Sequence, residues 1–309
     1  MDKPNAKAGE SVEIIEVSPR DGLQNEPSLL PTSKKLELIR RALDAGVKRI
    51  EVASFVHPRI VPQMADAEDV CAGLPTRDDV TYVGLVLNEK GLERALDTGR
   101  IDEIGCVAVA SEGFGQANQH QSVEQSVTVC SNILRRAREA GKRAQVTISV
   151  AFGCPFDGET PVDRVVDIAR RLAAERPTEL ALADTIGVAV PSQVKRLLSR
   201  VRDAIGADIP LRAHFHNTRN TGIANAYAAL ESGVQRLDSA IGGIGGCPFA
   251  PKATGNIATE DLFYLLDRSE IRVGLELDGL IHTAHWLENE LGHAVPGLVS
   301  KAGGFPKLH

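Results

Sequence analysis

His214-Phe215-His216 lies within Leu211–His216, a segment that reads as a β-strand. Side chains two apart on a strand share a side, so both imidazoles can reach one metal ion. Asp21, in the turn Arg20-Asp21-Gly22, is the natural carboxylate to join them, and Asn256, in Gly255-Asn256, offers an amide oxygen. Two imidazoles, a carboxylate, an amide oxygen and room for substrate or water form a mixed nitrogen and oxygen octahedral set. Such a set suits Mg²⁺ or Mn²⁺ better than a thiolate-rich zinc site, although zinc stays open. A second feature is Gly242-Gly243-Ile244-Gly245-Gly246-Cys247-Pro248, with four glycines in five residues before a cysteine. It implies a backbone that bends sharply or moves as a lid, carrying a thiol suited to acid or base catalysis. Cys154, in Gly153-Cys154-Pro155, competes for that role and is expected to be structural.

These residues need a frame that brings them together. Apolar, β-branched runs recur along the chain, each followed by a stretch of helical periodicity, which is the pattern of βα units around a parallel sheet. The expected strands are Val12–Val17, Val47–Ala53, Val80–Leu87, Glu103–Ala110, Ala144–Phe152, Glu179–Ala183, Leu211–His216 and Arg236–Ile241. Eight strands close a (β/α)8 barrel. A helix is expected after Pro31, with Thr32 as its N-cap and Gly46 as its stop. Others are expected at Val123–Ala140, Pro161–Ala174, Pro191–Ile205 and Thr221–Ser232, with Thr259–Asp267 and Leu277–Leu291 packing on the barrel after strand eight. An open doubly wound sheet would need a glycine-rich phosphate loop after strand one, but that turn reads Ser18-Pro19-Arg20-Asp21-Gly22.

In such a barrel the chemistry sits at the C-terminal ends of the strands. There the sequence places Arg20, Asp21 and Gln24, then Glu51 and Ser54, Asn88, Ser111 and Glu112, Ser149, Asp184, the two histidines, and Asp238 with Ser239.

The chain has 309 residues, 43% hydrophobic and 25% charged, which fits one barrel with an extension and leaves no run of the roughly 20 apolar residues that span a bilayer. The expected organisation is a polar tail at residues 1–10, without the character of a signal or transit peptide, followed by a single barrel domain over residues 11–309. Five scattered cysteines fit reduced thiols in a cytoplasmic protein. A net charge of −6, with no basic stripe interleaved with aromatics, argues against nucleic acid as a partner, and no membrane is expected either.

Arg20-Asp21-Gly22-Leu23-Gln24-Asn25-Glu26, Glu51-Val52-Ala53-Ser54-Phe55-Val56, Asp184-Thr185-Ile186-Gly187, His214-Phe215-His216 and Gly243-Ile244-Gly245-Gly246-Cys247-Pro248-Phe249-Ala250 together resemble the hydroxymethylglutaryl-CoA lyase family, from about Val12 to Leu265. The resemblance implies a divalent cation on Asp21, His214, His216 and Asn256, an acyl-CoA thioester substrate and a dimeric homo-oligomer. It also implies that Arg20 faces the thioester carbonyl, that Cys247 delivers a proton, and that Glu51, Gln24, Asp184 and Glu260 line or support the site. The chemistry would be cleavage between C2 and C3 of a 3-hydroxyacyl thioester, with Arg20 stabilising the enolate and His214, or Asp184 through water, taking the hydroxyl proton.

Departures from the family pattern bear on the acyl group. Thr147 stands where a tyrosine is usual before the Gly-Cys-Pro turn, Pro27 where a lysine is, and Asn217-Thr218-Arg219-Asn220 where Asp-Thr-Tyr-Gly is. Thr147 would enlarge the pocket, and Arg219 would bind a differently placed carboxylate. The leading expectation is 3-hydroxy-3-methylglutaryl-CoA, and the rival is citramalyl-CoA or a longer 3-hydroxy-3-alkylglutaryl-CoA. A Claisen synthase, or a retired enzyme serving as a scaffold, is disfavoured by the short C-terminal region and by the intact ligand set.

Overall fold

The computed structural model describes residues 11–246 and 255–306, so the expected N-terminal tail and Cys247 lie outside the described residues. The strands β1 (Glu13–Glu16), β2 (Arg49–Ser54), β3 (Thr81–Val86), β4 (Glu103–Val109), β5 (Arg143–Ser149), β6 (Leu180–Asp184), β7 (Leu211–Phe215) and β8 (Arg236–Ser239) form a closed barrel in sequence order. Every neighbouring pair is parallel. β1 closes on β8 from Glu13 opposite Arg236 to Glu16 opposite Ser239. All eight expected strands are present, each within a few residues of its expected limits.

The helices are α1 (Thr32–Asp44), α2 (Ala67–Ala72), α3 (Glu89–Asp97), α4 (Glu112–Gln119), α5 (Val123–Glu139), α6 (Val162–Ala173), α7 (Pro191–Ile205), α8 (Gly222–Glu231), α9 (Thr259–Arg268), α10 (Leu277–Leu291) and α11 (Val299–Ala302). They bury apolar faces on the strands, as Leu38, Ile39, Ala42 and Leu43 of α1 do. Thr32 is not the cap of α1: Pro31 holds that position, and the Thr32 hydroxyl donates instead to Asp66 at 2.7 Å. α10 packs against α1, with the Arg41 guanidinium 5.0 Å from the centre of the Trp286 ring. No helix among the described residues is long and apolar enough to cross a membrane.

The lower half of the barrel interior is charged where branched apolar residues usually fill such a core. Arg49 of β2 donates to Glu103 (2.9 Å) and, in bidentate fashion, to Glu179 (2.7 and 3.0 Å). Arg212 of β7 lies 3.2 Å from the same Glu179, and Arg49 and Arg212 are both almost wholly buried. Buried charges persist only when paired. This network forms a polar floor on which the upper half of the barrel stands.

Two local irregularities aim side chains at the upper rim. The π-helical turn Ser18–Gly22 follows β1 and projects Arg20 and Asp21. It is tied down by Glu16, which accepts from the amides of Ser18 (2.9 Å) and Ile241 (3.0 Å) and from Thr259 Oγ1 (2.7 Å). In β2 the register against β3 shifts between Glu51 and Ala53. Strict alternation would put Glu51 and Ser54 on opposite faces, and the irregularity lets both line one pocket.

Candidate active site

At the C-terminal rim of the barrel a cavity of about 140 Å³ is lined by Arg20, Asp21, Glu51, His214 and His216, with Gln24, Ser54 and Thr147 also on its wall. A larger cleft, about 350 Å³, opens at the other end of β5 beside Arg138, Lys142 and Arg143, away from every expected site residue. The rim is therefore where catalytic groups converge.

Asp21, His214 and His216 are the one group of three acid, imidazole or thiol side chains among the described residues that meets the spacing of a metal site. Asp21 Oδ2 lies 3.6 Å from His216 Nε2 and 3.9 Å from His214 Nε2. Asn256 is brought beside them by a backbone bridge to His216, and its Nδ2 donates to Asp21 Oδ2 at 2.8 Å. Its Oδ1 is buried without a hydrogen-bond partner. A half-turn of the amide would face that oxygen toward Asp21, an arrangement that needs a cation between them. The site fits the glycine-rich segment closely: Gly245 has φ +110°, and a Cβ there would lie 2.7 Å from Asn256 Nδ2.

The electrostatics agree with a cation site. Burial alone would raise the Asp21 carboxyl, but the Arg20 guanidinium and then the two imidazoles hold it well below the usual carboxylate range. Burial would lower His214, yet the hydrogen bond with Asp238 and the charge of Asp21 raise it above the ordinary imidazole value. Positive charge is thus stabilised between Asp21 and Asp238. His214 Nδ1 sits 3.1 Å from Asp238 Oδ2, which orients the ring so that Nε2 faces Asp21. Arg20 is fixed by Glu51, through Nε, and by Asp21 Oδ1, 2.6 Å from Nη1.

Asp184, Arg219 and Glu260 are among the expected site residues that do not line the cavity. Asp184 is buried, and its two carboxylate oxygens accept from the amides of Val188 (2.9 Å) and Ala189 (3.0 Å), so it shapes the turn from β6 to α7. Arg219 is exposed, its Nη1 donates to the carbonyls of Ile186 (3.1 Å) and Gly187 (3.0 Å), and it does not line the cavity. Glu260 is fully buried beneath the glycine-rich segment, accepting from Gly242 N at 3.0 Å. Cys154 is buried with its sulfur 2.7 Å from Ser111 Oγ, consistent with a structural role. None of the four described cysteines is disulfide-bonded.

Burial pushes the Glu260 carboxyl up to about 8. Its folded value exceeds its unfolded one, so the stability it contributes is complete below pH 4.5 and is lost as pH rises toward 8. Glu260→Gln removes the group that must ionise. Its melting temperature should match the parent's near pH 5 and exceed it by roughly 5 °C near pH 9, as read by calorimetry across pH; parallel curves would show that Glu260 ionises freely.

Arg212 and Gln145 belong to the pocket and escaped the reading of the sequence. The signal was available for Arg212: it stands two residues before His214 on β7, as His214 stands two before His216, so all three share a side.

An eight-stranded parallel barrel with an acid–imidazole cluster and a largely enclosed arginine at its C-terminal rim defines a barrel enzyme with a candidate metal site. The model of the HMGL-like family matches residues 11–287. The (R)-citramalyl-CoA lyase of Chloroflexus aurantiacus is 44% identical, over 95% of this chain and 95% of that protein. A hydroxymethylglutaryl-CoA lyase of Bacillus subtilis is 38% identical, over 92% and 95%. The structure of an HMG-CoA lyase from Acinetobacter baumannii in complex with coenzyme A and 3-methylmalate superposes with a TM-score of 0.91 at 40% identity, covering 97% of each chain. This chain belongs to the HMGL-like family and is a carbon–carbon lyase.

Proposed function

We propose that the enzyme cleaves 3-hydroxy-3-methylglutaryl-CoA to acetoacetate and acetyl-CoA. The observation that carries this reading is the Asp21–His214–His216 cluster facing Arg20 across one cavity at the rim of a lyase-family barrel. A divalent cation, Mg²⁺ or Mn²⁺, held by Asp21, His214, His216 and Asn256 would supply Lewis-acid polarisation of the substrate hydroxyl. The hydroxyl proton leaves, the C2–C3 bond breaks as C3 becomes a ketone, and the bonding electrons pass to C2 and the thioester oxygen. Arg20, partly buried and held by Glu51 and Asp21, is placed to stabilise that enolate. Of the two acceptors considered for the hydroxyl proton, Asp184 is committed to backbone amides, and His214, whose Nδ1 faces Asp238, could take the proton only at Nε2, in exchange for its place on the cation. Protonation of C2 then releases acetyl-CoA.

We assign that last proton to Cys247, which follows Gly246 in the sequence; Gly246 lines the cavity, and its O accepts from Asn25 Nδ2 at 2.7 Å. Cys247→Ser should keep metal affinity and lose most turnover, measured by calorimetry and product formation. Near-normal activity would remove the thiol from the mechanism.

A second reading is cleavage of citramalyl-CoA to pyruvate and acetyl-CoA. It is favoured by the 44% identity to a citramalyl-CoA lyase and by Thr147 in the pocket wall. The complex of a relative with 3-methylmalate also supports a short hydroxy-diacid in such a pocket. Incubation with each thioester and identification of the ketoacid separates the readings: acetoacetate supports the first, pyruvate alone the second, and neither ketoacid from any 3-hydroxyacyl thioester overturns both.

A further inference from the structure

Below the metal cluster, the pocket meets the polar floor at one arginine. Arg212 Nε and Nη1 face carboxylates, Glu179 at 3.2 Å and Asp238 at 3.3 Å. Its third nitrogen, Nη2, faces two neutral oxygens, donating to Gln145 Oε1 at 2.6 Å and to Thr147 Oγ1 at 3.1 Å. The guanidinium is almost wholly buried, so its charge is little screened by solvent. Carboxylates are therefore confined to two of its nitrogens, and Nη2, turned toward Gln145 and Thr147 on the cavity wall, carries only uncharged acceptors. Thr147, unlike Arg212, is partly exposed, and it lines the cavity. Because its oxygen accepts from Arg212, the hydroxyl proton is left to donate elsewhere. His216, His214 and Arg212 descend one face of β7, which places this donor beneath the metal cluster, where the part of an acyl chain beyond the hydroxyl-bearing carbon would lie.

We infer that Thr147, backed by Arg212, is a specificity-determining subsite that receives the carboxylate at the far end of the acyl group. The inference rests on the proposed acyl-CoA substrate and goes beyond it by assigning the receptor for the acid. It moves the role once expected of Arg219 to the floor of the pocket. Thr147 acts by direct contact. Arg212 is a positioning residue that fixes the threonine rotamer and adds charge behind it.

The test separates binding of the carboxylate from cleavage. Glutaryl-CoA and succinyl-CoA carry the acid without the 3-hydroxyl and so cannot be cleaved by this route, and butyryl-CoA lacks the acid. Calorimetric titration of the Mg²⁺-loaded full chain should show tighter binding of at least one diacid thioester than of butyryl-CoA. Thr147→Val, which keeps shape and removes the hydroxyl, should lower that affinity roughly 10- to 100-fold and leave butyryl-CoA affinity and Mg²⁺ affinity unchanged. Thr147→Ser should recover most of the loss. Unaltered diacid binding in Thr147→Val, or an equal loss for butyryl-CoA, would overturn the assignment. Because no turnover is read, the outcome stands even if the parent enzyme cleaves neither proposed substrate.

Discussion

Arg20→Met should lower kcat roughly 100- to 1,000-fold while changing KM little, as expected when a donor aimed at developing charge is removed. Arg20 is only 12% exposed and is held on one side by Glu51 and on the other by Asp21, so it is pre-positioned before substrate arrives. Arg20 is also the largest of the influences that hold the Asp21 carboxyl down, so its loss should weaken cation binding, most visibly at low pH. Arg20→Lys separates the two effects. A lysine restores the charge beside Asp21 but not the planar fork that engages Glu51 and Asp21 together, so metal affinity should recover further than kcat. Measuring kcat and Mn²⁺ affinity for both variants decides the matter; a methionine variant with normal kcat would remove Arg20 from the chemistry.

His216→Ala carries the second large effect. His216 is 2% exposed, its Nε2 faces Asp21 Oδ2 at 3.6 Å, and its Nδ1 has no hydrogen-bond partner in the structure. The ring is therefore held in the wall chiefly by packing and by its place at the end of β7, and Nε2 is the nitrogen presented to the cluster. Losing one imidazole should weaken Mn²⁺ binding by more than about 100-fold, beyond the usual effect of removing a group that only orients a ligand. Turnover should fall by about 1,000-fold or more at a fixed low metal concentration and recover in part when the metal is raised. A mere packing defect would instead lower the melting temperature without shifting the metal titration. Calorimetric metal titration alongside thermal denaturation distinguishes these outcomes.

The parts of the site that were legible in the sequence are those governed by local geometry. Period-two alternation put His214 and His216 on one side of β7, and the same rule applied to Arg212 would have placed it beneath them. An arginine in mid-strand is easily missed because barrel interiors are usually apolar, and its partners Gln145 and Thr147 of β5, Asp238 of β8 and Glu179, just before β6, come from elsewhere in the chain. Asp184 looked catalytic because it ends a strand. Its engagement by the amides of Val188 and Ala189 depends on the backbone path of the following turn, which residue type alone does not specify. Arg219 failed as a substrate ligand for a similar reason, since the carbonyls of Ile186 and Gly187 reach it from the neighbouring loop. The shared orientation of Glu51 and Ser54 needed a register shift that strict alternation forbids. Among the elements, the eight strands were recoverable because each is a buried run. α2, with six residues, and α4, with eight, are too short to declare a helical period.

The most direct test of the central claim is to strip the protein of metal, offer it 3-hydroxy-3-methylglutaryl-CoA and citramalyl-CoA separately, and assay acetyl-CoA with the matching ketoacid before and after adding Mg²⁺ or Mn²⁺. The account predicts no products from the stripped protein, and equal amounts of acetyl-CoA and ketoacid from at least one thioester once metal is restored. Cleavage that proceeds at full rate without a divalent cation, or no cleavage of either thioester by the metal-loaded protein, would contradict it.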